Sequence, residues 1–198
     1  MTTTTATTFL ARLKDATRPH HEATETTVDL GNRAKTAEGY RNLLGRFLGF
    51  YEPAEARLAH VLGDLPSLDF DRRRKTGLLR DDLHALGLDD AALEALPRYS
   101  GLSKIDDLGD ALGSMYVLEG ATLGGQYVAK HVESVLGVAP GRGCSFFSSY
   151  GADVGPMWKA FREVLTQSAD TAPMQDRVIA SASDTFEHFN EWFLAFPR

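Results

Sequence analysis

Phe9-Leu10-Ala11-Arg12-Leu13-Lys14-Asp15-Ala16-Thr17-Arg18-Pro19-His20-His21-Glu22-Ala23-Thr24-Glu25 places its apolar residues Phe9, Leu10, Leu13 and Ala16 at helical spacing. The pattern continues to Val28 and predicts a helix over that span. Pro19 removes the hydrogen bond back to Asp15 and is expected to kink or restart it. Helical period governs the rest of the chain as well, and no alternating strand interrupts it. Asp29 to Lys35, with Gly31 and Asn32, reads as a loop. A second helix from Thr36 to Val61 draws a broad apolar face from Tyr40, Leu43, Leu44, Phe47, Leu48, Phe50 and Tyr51 and is expected to bend at Pro53. Gly63 to Pro66 closes it. A more polar helix covers Phe70 to Ala85, and a short one Asp90 to Leu96. Ser103 followed by Asp106 resembles a capping box that opens a long helix to about Leu136, interrupted by glycines. Gly137 to Gly151 is the longest loop, and helices over Pro156 to Thr166 and Pro173 to Phe196 complete the chain. With no internal repeat or low-complexity linker, the expectation is one all-α domain over 1–198, with 1–6 an unstructured tail. Short connections favour antiparallel neighbours.

The 198 residues suit one domain, and 43% hydrophobic with 24% charged residues excludes a disordered or collagen-like chain. Acidic residues outnumber basic ones, 27 to 21, for a net charge of −6. That balance argues against nucleic acid or an anionic membrane as partner, since both need a positive field. No apolar run approaches the ~18 residues that would span a bilayer, and the Thr-rich start from Met1 to Thr8 lacks a signal core. Cys144, the single cysteine, forms neither an internal disulfide nor a zinc cluster. These features point to a reduced, cytoplasmic protein, a monomer or weak dimer.

Two segments carry chemistry. Lys14, Arg18, His21 and Glu25 stand at i, i+4, i+7 and i+11, along one helix face. Lys14 lies two turns from His21, roughly 10 Å away at ~1.5 Å per residue. A flat ligand centred on His21 would therefore have an anionic edge within reach of Lys14. Glu25 is placed to fix the tautomer of His21. A helix surface with scattered charges is the other reading. The second segment is Gly113-Ser114-Met115-Tyr116-Val117-Leu118-Glu119-Gly120-Ala121-Thr122-Leu123-Gly124-Gly125-Gln126. Each internal glycine costs a helix about 1 kcal/mol relative to alanine, so something should use Gly120, Gly124 and Gly125. Glu119, Gln126 and Lys130 exclude a membrane dimerisation motif. A flat strip for tight helix packing remains one use, and close approach of a flat ligand the other. Together the segments would sandwich a flat ligand with acidic groups at one edge, and heme has that shape.

At these residues the chain resembles the heme oxygenases. Leu13 to Glu25 is similar to their proximal signature L-K-x-A-T-x-x-x-H-x-x-x-E, and Gly120 to Gln126 to their distal G-x-x-x-G-G-Q. Weaker likeness extends to Trp158-Lys159-Ala160-Phe161 and to Val178-Ile179 through Phe186. The resemblance implies an all-α bundle with heme b, both substrate and cofactor, between a proximal helix and a kinked glycine-rich distal helix. It implies His21 as axial ligand to iron, chosen over His20 by Glu25 four residues on. Lys14 and Arg18 would meet one propionate and Lys159 the other, with Gly120, Gly124 and Gly125 as catalytic distal backbone. The implied reaction is cleavage of heme at a meso carbon to biliverdin, carbon monoxide and ferrous iron. It uses dioxygen and an electron donor such as ferredoxin or a reductase. A heme-binding or heme-trafficking protein of the same fold is the alternative. Three positions depart from the family pattern: Ala121 stands where many members have aspartate, Met115 where some have tyrosine, and Glu163 where some have arginine.

His60, His84, His131 and His188 read as structural or surface residues. Asp71-Arg72-Arg73-Arg74-Lys75 reads as a solvated helix face, with docking of an acidic electron donor as the sharper reading. Phe146, Phe147, Tyr150, Trp158 and Trp192 read as core, and Phe186 and Phe189 as possible walls of the pocket.

Overall fold

The computed structural model describes residues 8–63 and 65–195. The tail expected at 1–6 and the helix end expected at Phe196 lie outside the described residues. Helix α1 spans Phe9–Val28, its first turn capped by the Thr8 hydroxyl. It does not restart at Pro19. Proline deletes a single donor, and Phe9, Leu13, Thr17 and Val28 stay buried on one face. Where a loop is expected, Asp29 takes a left-handed conformation and its carboxylate holds the Asn32 amide, winding the short α2, Leu30–Arg33. Helix α3, Ala37–Leu62, is capped by Thr36 and runs through Pro53.

The single polar helix expected over Phe70 to Ala85 is two: α4, Phe70–Arg73, and α5, Thr76–Ala85. The break has a cause in the buried carboxylate of Glu55. It accepts the backbone N–H groups of Lys75 and Thr76 and the Thr76 hydroxyl, so the chain re-enters helix under its charge. The basic run is accordingly not a solvated face. Arg73 and Lys75 are 5% and 3% exposed, while Arg72 and Arg74 point outward. Helix α6, Asp90–Ala95, follows with Asp89 as its cap.

Helix α7 runs without a break from Leu108–Leu136. Its cap is Asp107, which accepts from the Asp110 N–H at 2.9 Å. Ser103, expected to open the helix, bonds His188 Nε2 instead. Gly137, at φ 68, closes α7. The expected loop after it contains the short α8, Ser145–Ser148, whose first two N–H groups are received by the buried carboxylate of Asp82. Helices α9, Val154–Ser168, and α10, Ala172–Leu194, complete the order. Among the described residues there is no strand, only isolated bridges at Ala139. No helix among them is long and apolar enough to cross a membrane.

α10 packs against both α1 and α7, and α3 lies across α5 and α7. Small residues set the closest approach: a Cβ on Gly113 would stand 2.5 Å from the Val178 carbonyl. Tyr40, Phe50, Phe161 and Phe193 fill the interior. This packing leaves α1 and α7 facing one another with α10 along one side.

Candidate active site

A cavity of about 510 Å³ opens between those helices, well within the ~300–1,000 Å³ of small-molecule sites. Leu10, Lys14, Thr17, Arg18 and His21 line it from α1, one face at the spacing seen in the sequence. Tyr116, Val117, Leu118, Gly120, Ala121 and Leu123 line it from α7. Phe47 and Tyr51 of α3, Trp158 and Arg162 of α9, and Phe186 and Phe189 of α10 close the remaining sides.

His21 reaches the cavity and its neighbour His20 does not. Both meet Phe186, but differently: the His20 ring lies nearly parallel to it at 6.4 Å, while His21 meets it edge-on at 6.1 Å. His20 Nδ1 turns toward Glu187, at 3.9 Å. His21 Nδ1 stands 3.7 Å from Glu25 Oε1, so Glu25 sits behind the imidazole and outside the cavity lining. The rim carries Lys14, Arg18 and Arg162, with Glu22 as an acidic member.

Lys159, expected to meet a propionate, is not among the residues that the structure brings to the cavity. It faces solvent, 3.8 Å from Glu163 one turn on, and is absent from the lining. At ~100° per residue, the cavity face of α9 falls on Trp158 and Arg162, four apart, and the outer face on Lys159 and Glu163. The Arg162 guanidinium lies 5.9 Å from the Trp158 ring. The four-residue spacing puts Arg162 on the face of Trp158, but nothing in the sequence says that this face turns to the cavity. A matching shift occurs on α7, where Met115 is buried and Tyr116 faces the cavity. Burial raises the pKa of the Tyr116 phenol, opposed by a hydrogen bond with Thr17 and by the charge of Arg162.

The glycines divide. Gly120 lines the cavity, its missing Cβ aimed at the Trp158 ring 3.7 Å away. Gly124 has open space around it and lies outside the lining. Gly125 is the packing glycine: a Cβ there would stand 2.5 Å from the Phe147 carbonyl of α8. Ala121 takes its place in the wall without an acidic side chain.

Behind this wall lies a cluster that sequence reading missed, because Glu119 read only as a charge interrupting the glycine segment. The Arg73 guanidinium bonds the Glu119 carboxylate, and both side chains are almost fully buried, 3% and 1% exposed. Tyr150 donates to the other Glu119 oxygen at 2.9 Å, and Lys75 Nζ donates to Tyr150 Oη at 2.7 Å. Burial drives the Lys75 ammonium from 10.5 down to about 8, against the pull of Glu119 and Glu55.

The arrangement suits an apolar, planar ligand with acidic groups at one edge and a centre that accepts one nitrogen donor. Among the described residues, no group of three or more His, Cys, Asp or Glu side chains is placed to hold a bare metal ion. Such a fold and cavity define a class of helical proteins with a small-molecule site between two facing helices. The chain belongs to the heme oxygenase family, whose model matches residues 7–195. It is 29% identical over 170 residues to the heme oxygenase of Xanthomonas campestris pv. campestris strain 8004, covering 85% of this chain and 97% of that protein. Its architecture is similar to the heme oxygenase of Neisseria meningitidis solved with NO and CO bound, with a TM-score of 0.78 and 21% identity over 95% of this chain and 91% of that one. The heme oxygenase of Leptospira interrogans gives 0.76 and 19% over 96% and 100%.

Proposed function

We propose that this enzyme opens heme at a meso carbon, releasing biliverdin, carbon monoxide and ferrous iron, with His21 as the axial ligand. The observation that carries this is the placement of His21 alone of the histidine pair on the cavity wall, across from Gly120 and beside a cationic rim. Heme, taken as heme b, supplies the iron for oxygen activation and the macrocycle that is opened.

The protein's contribution is geometric and electrostatic. Glu25, behind His21, favours the tautomer that keeps the cavity-side nitrogen free to ligate. Lys14, Arg18 and Arg162 receive the propionates, and the Tyr116 hydroxyl lies within the same region of the lining. Leu118, Gly120, Ala121 and Leu123 offer backbone and apolar surface with no side-chain acid, so the wall confines the reacting edge by shape. Phe47, Phe186 and Phe189 exclude water from the face of the ring. Electrons come from a donor such as ferredoxin or a reductase, and the setting is a cytoplasmic monomer or weak dimer. Ala121 favours a second reading, a heme carrier that binds without turnover.

Absorption spectra with hemin, taken for wild type and His21→Ala and then followed with reductant in air, test this. The Soret band is expected to be lost or shifted in the variant, and the wild-type band to give way to biliverdin absorption. Stable His21-dependent binding without bleaching would move the protein to the carrier reading, and no binding at all would overturn both.

A further inference from the structure

Arg73 joins three parts of the chain at one guanidinium. Nε donates to the Leu68 carbonyl at 2.7 Å, and Nη1 donates to both the Glu119 carboxylate and the Met157 carbonyl, the latter at 3.2 Å. Glu119 immediately precedes Gly120, and Met157 immediately precedes Trp158. Those two successors are the parts of α7 and α9 that face each other in the cavity wall, where a Cβ on Gly120 would stand 3.7 Å from the indole. Gly120 has no side chain with which to fix that spacing. The Glu119 carboxylate is held on its second oxygen by Tyr150, which Lys75 holds in turn, so it has no room to swing. A buried ion pair is seldom more stabilising than well-packed apolar residues of the same volume, so stability alone gives little reason for this one.

We propose that Arg73 is a positioning residue: a strut behind the cavity that sets the distance between the Gly120 backbone and the Trp158 indole, and through it the placement of the reacting edge of the substrate. The proposal rests on the heme-cleavage reading for its consequence, and on the free protein for the strut itself.

The test uses the full chain with Arg73→Met and Glu119→Leu combined, which removes the two charges together, so neither is left buried without the other. Arg73→Lys, which keeps the charge but loses the planar fork that serves the three acceptors, is used if the double variant does not fold. Asp82→Asn, a buried cap of α8 outside the cavity lining and without contact to Arg73, controls for lost stability. In a Trp192→Phe background without heme, acrylamide quenching of Trp158 rises in the strut variants and not in the control. With heme bound, the Soret band of the His21 complex stays in place while the C–O stretch of the reduced carbon monoxide complex shifts or splits. Turnover falls by about tenfold at unchanged KM, the mark of a misplaced reacting edge, and the meso-isomer ratio of the product broadens. Unchanged quenching and an unchanged C–O stretch would overturn the strut. If wild type binds heme and never bleaches it, the cleavage reading fails, while quenching and the C–O stretch still decide the strut.

Discussion

The two adjacent imidazoles of α1 differ in surroundings: His20 lies nearly parallel to Phe186, while His21 meets it edge-on and lines the cavity. His20→Ala is therefore expected to leave the Soret band of the hemin complex in place, and His21→Ala to abolish or shift it; a hemin titration of both settles the point. On the rim, Arg162→Ala should weaken hemin binding by about tenfold, since a charge-assisted hydrogen bond is worth ~1.5–3 kcal/mol and this one is partly screened. Lys159→Ala, already spoken for by solvent and Glu163, should bind hemin as wild type does. Equal losses in the two variants would refute the assignment of Arg162. The face of α1 was legible in the sequence because i, i+4, i+7 spacing is a property of any helix. The face of α9 was not, since a motif match fixes register along a helix and says nothing of its rotation toward a neighbour. Arg73 and Lys75 were misread for a related reason: a run of five charged residues reads as a solvated face until a buried carboxylate from another element draws alternate members inward.

At the level of elements, the glycines of α7 are separable by what surrounds them. Gly125→Ala forces a methyl against the Phe147 carbonyl and should cost ~1–3 kcal/mol through overpacking. Gly124→Ala meets open space and should gain up to ~1 kcal/mol from lower backbone entropy in the unfolded chain. Urea midpoints at constant m-value measure both, and equal destabilisation would show that Gly124 is also packed. The sequence announced a long glycine-rich helix and its end at Leu136, but not that it would run through its glycines unbroken. It misplaced the start because Ser103 and Asp106 mimic a cap that Asp107 supplies. The split between α4 and α5 was invisible for a stronger reason: its cause, Glu55, is far away in the chain.

For the whole molecule, the buried Lys75 ties stability to pH. Its folded pKa, about 8, lies below the unfolded value of 10.5, so the unfolded chain binds the proton more readily. The stability it contributes is fully present above pH 10.5 and is lost as pH falls through about 8. At ~1.4 kcal/mol per unit, the gap amounts to roughly 3–4 kcal/mol. Urea unfolding of wild type and Lys75→Met across that window should therefore show the difference in free energy moving in favour of wild type by about this amount as pH rises. A flat difference would mean that Lys75 is solvated. Helix α1 packs chiefly against α10, and Pro19 leaves the Asp15 carbonyl without its helical amide, yet this helix supplies one whole wall of the cavity. Amide hydrogen exchange should find it the fastest to exchange among the long helices of the free protein. Once hemin bridges α1 to α7, the gain in protection should concentrate along residues 9–28. The wall that grips the substrate then owes much of its own order to being gripped.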